Sequence, residues 1–163
     1  MDEPYRVTFV CTGNICRSPM AESILRRHVR NAGLADRVEV DSSGTEGWHT
    51  GKPADERTDA ALRGAGYDTG HAARRFDPAW FATYDLILAL DTGHLRELRA
   101  LAPDDAAAER VRLLRDFDPS PSTDRDVPDP YYGDHTDFTH VRTLIEAATP
   151  GVIAHIHHAT SDH

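Results

Sequence analysis

A cysteine ends a short apolar run, five residues follow, and arginine and a Ser-Pro pair come next: Cys11-Thr12-Gly13-Asn14-Ile15-Cys16-Arg17-Ser18-Pro19. These residue types at this spacing suit the capture of a tetrahedral oxyanion. Gly13 and Asn14 tolerate the backbone angles of a tight turn that aims successive N–H groups at one point. Ser18-Pro19 reads as the N-cap and first position of a helix, whose positive dipole end adds to the site. Arg17 offers a planar fork that matches two phosphate oxygens. Cys11, at the base of such a cradle, faces donors that favour thiolate over thiol. A thiolate opposite a bound phosphoryl group is placed for in-line attack on phosphorus. Cys-x5-Arg alone also describes a buried core cysteine followed by a surface arginine. The strand before it, the Gly-Asn within it and the helix start after it favour the anion site.

Asp129 is the second candidate. Pro130 disfavours helical angles at Asp129 and holds it extended, within an aperiodic stretch, residues 117–134, that carries Pro119, Pro121, Pro128 and Pro130. A loop of that length in a small domain is expected to be functional. Asp77-Pro78 and Asp118-Pro119 read as plain turns; only Asp129 is followed by paired tyrosines. Tyr131 and Tyr132, with Trp48, suit the walls of a deep slot for a flat phenol ring, with His49 on the same rim. A phosphoserine side chain is too short to reach the bottom of such a slot. Cys16 has two readings. It is either a resolving partner that protects Cys11 through a reversible disulfide, or a small buried packing residue. The histidines near the end, His155, His157 and His158, lack a cysteine or carboxylate frame. They read as a solvated tail, and no metal site is expected.

These side chains need elements to hold them. Residues 6–11 form a β-branched and aromatic run, a buried strand. Met20, Ile24, Leu25 and Val29 recur at helical spacing up to Gly33. Residues 38–42 read as a second strand and 54–65 as a helix. Residues 71–76 are irregular and basic, and Asp77-Pro78 opens a short helix. Residues 85–90 are a near-continuous apolar run, typical of a strand covered on both faces. Asp91 caps a helix to about Ala102, and residues 111–114 make a short fourth strand. Phe138, Val141, Leu144, Ile145 and Ala148 mark a C-terminal helix that Pro150-Gly151 is expected to interrupt. Strands alternating with helices imply a parallel sheet. The expected fold is a small doubly wound, flavodoxin-like α/β domain with a four-stranded parallel sheet and about five helices. Ligands bind such folds at the carboxyl ends of the strands.

The chain has 163 residues, 39 % of them apolar and 28 % charged, with a formal net charge of −9. That suits one domain over residues 1–163 with a core that needs no disulfide or metal staple. The acidic balance argues against nucleic acid or an anionic membrane as the main partner. The first six residues show no apolar signal run, and two cysteines are too few for a disulfide framework, so a reducing cytoplasm is expected. Lys52 is the one lysine among 18 basic residues, a bias that suggests a GC-rich bacterial genome.

Residues 10–22, Val-Cys-Thr-Gly-Asn-Ile-Cys-Arg-Ser-Pro-Met-Ala-Glu, resemble the phosphate loop of the low-molecular-weight protein tyrosine phosphatases. The likeness continues through Ser42-Ser43-Gly44-Thr45, Trp48-His49, residues 88–91, Phe117-Asp118-Pro119 and Asp129-Pro130-Tyr131-Tyr132-Gly133-Asp134. It is nearest to the actinobacterial members. The resemblance implies that Cys11 is the nucleophile and forms a phosphocysteine, and that Arg17 binds the phosphoryl oxygens. It implies that Ser18 hydrogen-bonds the thiolate, and that Asn14 holds the loop in a strained shape, supported by Ser43 and His71. Asp129 is implied as general acid and then base. Thr12, Gly13, Asn14, Ile15, Cys16 and Ser18 surround the phosphate, and Trp48, His49, Tyr131 and Tyr132 the ring. Tyr131 and Tyr132 are also implied as phosphorylation sites. The implied partner is a phosphotyrosine protein. No cofactor is implied, and a monomer or weak dimer is expected.

Three rival readings remain. An arsenate reductase shares this loop and fold but passes electrons through further cysteines, which this chain lacks. A protein arginine phosphatase carries threonine where this chain has Ile15, so Ile15 favours phosphotyrosine. A non-catalytic phosphopeptide-binding module is expected to have lost Cys11, Arg17 or Asp129, and all three are present.

Overall fold

In a computed structural model of the chain, which describes residues 3–120 and 123–161, the apolar runs become four strands among the described residues. β1 (Tyr5–Cys11), β2 (Val38–Gly44), β3 (Leu86–Ala89) and β4 (Val111–Leu113) form one parallel sheet in the order β2-β1-β3-β4. The register sets Val7 beside Val40 and Leu86, and Cys11 beside Gly44. The α-helices are α1 (Arg17–Asn31), α2 (Glu56–Gly64), α3 (Thr92–Leu101), α4 (Asp105–Glu109) and α5 (His135–Ser161). Single 3-10 turns cover Pro78–Ala82 and Leu114–Phe117.

Alternation along the strands sorts the core into two layers. Val7, Phe9, Cys11, Leu86 and Leu88 pack with α1, α2 and α5. Val10, Ile87, Ala89, Val111 and Leu113 pack with α3, α4 and Phe81 of the first 3-10 turn. A sheet buried on both faces needs strands that are apolar throughout, which is why β3 reads Leu-Ile-Leu-Ala. The strand order reverses between β1 and β3, so their carboxyl ends flank the crevice of a doubly wound α/β fold. Cys11 ends β1 at that crevice, and Asp91 follows β3.

Several local expectations are corrected. Helix α1 starts at Arg17, with Cys16 at the N-cap position and no side-chain cap. Ser18 is therefore not the cap, and its hydroxyl turns to Cys11 instead. Helix α4, capped by Asp104, has no counterpart in the sequence pattern, because five residues show too little periodicity. Helix α5 runs unbroken through Pro150. Its buried face, Phe138, Val141, Ile145, Ala148, Val152 and Ile156, continues on both sides of the proline. That packing outweighs the one backbone bond the ring removes. His155 is no solvated tail, since its ring meets Phe117 edge-on at 5.4 Å. Pro121 lies outside the described residues, as do Met1 and Asp2. No described helix is long and apolar enough to cross a membrane.

Gly151 has a packing reason. A Cβ there would collide with the carbonyl oxygen of Phe117, where α5 crosses the second 3-10 turn. Gly64 in α2 has open space instead. Gly151→Ala is expected to lower stability by about 1–3 kcal/mol through overpacking, a fall of several degrees in Tm. Gly64→Ala is expected to hold or raise Tm through helix propensity. Thermal unfolding of the two variants checks this, and equal Tm changes would show that the crossing is slack.

Candidate active site

The loop after β1 turns its carbonyl groups outwards. Thr45 N–H donates to Cys11 O at 2.8 Å, Glu46 N–H to Thr12 O at 3.0 Å, and Asp55 N–H to Ile15 O at 2.8 Å. His71 Nε2 lies 2.7 Å from Asn14 O, and since a carbonyl only accepts, this ring nitrogen carries the proton. Cys16 O takes the Met20 N–H and the Thr58 hydroxyl. Among the described residues, no backbone N–H from positions 12–18 donates to a protein acceptor. A ring whose carbonyls are held outside presents its N–H groups to one centre, an anion nest at a helix N-terminus.

The turn demands one left-handed residue, and Asn14 supplies it with φ 57°. Four contacts hold it there. Its Oδ1 accepts the Arg74 N–H at 3.0 Å, its Nδ2 donates to Ser18 Oγ at 2.8 Å and to Ser42 Oγ at 3.0 Å, and His71 holds its carbonyl. The side-chain partner is thus Ser42 rather than Ser43. Ser43 Oγ is buried without a partner, because strand alternation turns it to the other face; only its carbonyl takes part, 3.4 Å from Ser18 Oγ. Gly44 sits where a Cβ would collide with Thr12 O, so β2 approaches the loop closely only as glycine.

Cys11 is buried, with Sγ 2.9 Å from Ser18 Oγ. Arg17 is 4 % exposed, and its Nη1 donates to Asp91 Oδ2 at 2.8 Å and to Val127 O at 3.0 Å. Its Nη2 lies 3.8 Å from Asp129 Oδ2. A buried guanidinium needs such partners, and they tie the loop of residues 117–134 to the phosphate-type cradle. Val127 N–H also donates to Leu90 O, so that loop is pinned to the end of β3. Asp129 is half exposed, and its Oδ1 accepts the Tyr131 N–H at 3.1 Å.

Above Cys11 opens a cavity of about 280 Å³. Its lining gathers Cys11, Thr12, Gly13, Ile15, Cys16, Arg17, Trp48, His49, Asp129, Tyr131 and Tyr132. Residues far apart in sequence thereby share one site. The His49 ring covers Gly13, and a Cβ at Gly13 would stand 2.9 Å from its Cδ2. Trp48 and Tyr132 are strongly exposed at the mouth, and Tyr131 less so. Tyr131 and Tyr132 meet edge-on at 5.0 Å. Cys16 also lines the cavity; burial first, and then the Asp55 carboxylate, push its thiol up to about 12. Asn14, Ser18 and His71 stand behind the cradle rather than in the cavity lining. A larger cavity of about 620 Å³ lies between α1 and β2, away from the Cys11 thiol. Among the described residues, no group of three or more His, Cys, Asp or Glu is arranged to hold a metal.

Some supporting residues gave little sequence signal. Asp91 was legible as the α3 cap, which it is through the His94 N–H, but its second oxygen also holds Arg17. Burial alone would raise the Asp91 carboxyl; the His94 N–H and Arg17 outweigh that and hold it below its usual value. Arg57 grips Asp55, donates to Gly133 O at 2.8 Å and stacks near Tyr131 and Phe138. It anchors the tyrosine segment from α2, a contact no local pattern announces.

Comparison with known proteins agrees with this geometry. The fold and the cradle define an α/β phosphate-loop protein with a cysteine at the loop's base. The family model for low molecular weight phosphotyrosine protein phosphatase matches residues 6–161. The chain is 56 % identical over 151 residues to a low molecular weight protein-tyrosine-phosphatase of Streptomyces coelicolor, covering 92 % of each chain. It is 52 % identical over 153 residues to low molecular weight protein-tyrosine phosphatase A of Mycobacterium tuberculosis, covering 93 % of this chain and 91 % of the relative. A crystal structure of protein tyrosine phosphatase from Entamoeba histolytica, with Hepes in the active site, superposes with a TM-score of 0.90 at 31 % identity. That match covers 95 % of this chain and 98 % of the other. The chain belongs to the low molecular weight phosphotyrosine protein phosphatase family.

His94 generates a pH prediction. It is buried, with Nε2 2.8 Å from Thr12 Oγ1. Its Nδ1 is 3.1 Å from Asp91 Oδ1, but at an angle that makes no hydrogen bond. Burial outweighs Asp91 and pushes the imidazole down to about 4, from an ordinary 6.5. The unfolded chain then binds a proton that folded His94 refuses, so stability falls as pH is lowered from 6.5 towards 4. In His94→Asn that component, of order 2–3 kcal/mol, is expected to vanish. Urea unfolding at several pH values checks it, and equal slopes in both proteins would exclude His94 as the source.

Proposed function

We propose that the chain hydrolyses phosphotyrosine in proteins through a phosphocysteine on Cys11. The observation that carries this reading is the single cavity that joins the Cys11 thiol, the inward N–H groups, Arg17 and Asp129 beneath an aromatic mouth. The phosphoryl oxygens take the loop N–H groups and Arg17 Nη2. Cys11 Sγ attacks phosphorus as the P–O bond to tyrosine breaks. Asp129 gives its proton to the departing phenol oxygen. Asp129, now a carboxylate, takes a proton from water, whose oxygen attacks the phosphocysteine. The S–P bond breaks, phosphate forms and the thiolate returns to the Ser18 hydroxyl.

Charge and shape support each role. Donors fixed before the reaction stabilise the spread charge of the transferring group without reorganising. Asp129 sits 3.8 Å above Arg17, on the side where the leaving group emerges. The Ile15 side chain lies in the wall with Trp48 and Tyr131, apolar surface that suits a phenyl ring better than a guanidinium. The depth of Cys11 favours an aryl phosphate over a short alkyl one.

Cys11→Ser is expected to fold, to keep binding phosphate-type ligands and to lose turnover; near-wild-type turnover would sink the reading. The leaving group tests Asp129. A tyrosine oxygen, with a pKa of about 10, leaves poorly as an anion, and protonating it is worth roughly 10²–10⁴-fold. Asp129→Asn is expected to slow the first step strongly for phosphotyrosine and far less for an aryl phosphate with an acidic phenol. With the acidic phenol, a fast burst then precedes slow turnover. Equal losses of first-step rate for both substrates would mean that another group supplies the proton.

A further inference from the structure

A hydrogen-bonded chain runs from the nucleophile away from the substrate mouth. Cys11 Sγ is 2.9 Å from Ser18 Oγ, and Asn14 Nδ2 reaches Ser18 Oγ at 2.8 Å and Ser42 Oγ at 3.0 Å. Ser42 Oγ donates to Glu22 Oε1 at 2.6 Å, and Glu22 Oε2 pairs with Arg26 Nη1 at 2.6 Å. The Glu22 side chain is 10 % exposed, whereas Arg26 is 53 % exposed at the surface. Glu22 stands one helical turn beyond Ser18 on α1, so the same helix carries both ends of the chain.

The sense of these bonds is forced. A carboxylate only accepts, so Ser42 must donate to Glu22, and its oxygen is left to accept from Asn14. Both Asn14 amide hydrogens are then spent, on Ser42 and Ser18. The amide oxygen is fixed independently by the Arg74 N–H. Ser18, which accepts from Asn14, has one proton left. Its nearest acceptor is Cys11 Sγ; the Ser43 carbonyl is farther, at 3.4 Å.

We infer that Glu22 is a positioning residue for the Cys11 thiolate. By holding Ser42 as an acceptor, it locks the Asn14 amide and so keeps the Ser18 proton on sulfur. The inference rests on the reading of Cys11 as nucleophile. Glu22 touches neither substrate nor sulfur, and it acts only through Ser42, Asn14 and Ser18.

Glu22→Gln tests this without a change of shape. Arg26 and Ser42 each donate to one Glu22 oxygen, and glutamine has one oxygen to offer in place of two. If Arg26 takes it, the amide N–H turns on Ser42 and competes with Asn14. The expected result is an about 3–10-fold slower alkylation of Cys11 by iodoacetamide, the order of one net hydrogen bond. Mass spectrometry reads this at the Cys11 peptide and separates it from Cys16. A similar fall in kcat is expected, with KM changed less than about twofold. Ser42→Ala cuts the same link from the other side and is expected to match. In the double variant the losses should not multiply, because both remove one chain. Ser42→Ala decides the matter alone if Glu22→Gln fails to fold. Wild-type alkylation in the folded single variants, or losses that multiply, would overturn the inference. Those outcomes leave the nucleophile reading intact as long as Cys11→Ser abolishes turnover; turnover by Cys11→Ser would remove that reading instead.

Discussion

One constraint organises this molecule: peptide groups between Cys11 and Ser18 must all point their N–H ends inwards. A chain left to itself alternates or coils, and so hides such groups in its own hydrogen bonds. Here the opposite ends are captured from outside, by Thr45, Glu46, Asp55, Thr58 and His71. These partners come from the end of β2, the loop beyond it, α2 and the irregular basic segment. The left-handed Asn14 costs free energy that its four contacts offset. Much of the fold around β2 and α2 serves as the outer wall of a seven-residue ring.

Arg17 links that ring to the other half of the site. It is nearly fully buried, and a buried cation without partners is costly. Asp91 at the end of β3 and Val127 O in the long loop satisfy Nη1. Because the guanidinium is planar, fixing Nη1 also fixes where Nη2 points. Nη2 in turn lies 3.8 Å from Asp129 Oδ2, so the same side chain reaches both halves. The cradle and the Asp129 carboxylate are therefore linked through one side chain, so changes at Asp91 or Val127 reach both.

The mouth follows different physics. Trp48 and Tyr132 are exposed at the edge of the cavity. Arg57 steadies the tyrosine segment from below through Gly133 and the Tyr131 ring. A buried, hydrogen-bonded floor and an exposed aromatic rim thus form two distinct layers of one cavity.

Much of this was legible in the residues themselves. Strand-loop-helix around Cys11, the apolar β3 and the alternation of elements report local physics: side-chain period, turn chemistry and burial on two faces. Cys11, Arg17, Asp129, Trp48, His49 and Tyr131 share one cavity as their motifs suggested. The misreadings mark where distant contacts prevail. Ser18 resembles a helix cap, yet its hydroxyl serves sulfur, because α1 begins two residues earlier against the loop. Ser42 and Ser43 are indistinguishable in sequence, and only the direction of β2's pleat sends Ser42 to Asn14. Pro150-Gly151 reads as a break, but the shared buried face of α5 and its close approach to Phe117 keep the helix whole. Asp91, Arg57 and Glu22 are ordinary charged residues until the sheet brings each to its partner. Residue types and spacing determined the chemistry and the order of elements, because those depend on near neighbours. Tertiary structure alone decided which oxygen meets which donor, because that depends on packing between segments that the chain separates by dozens of residues.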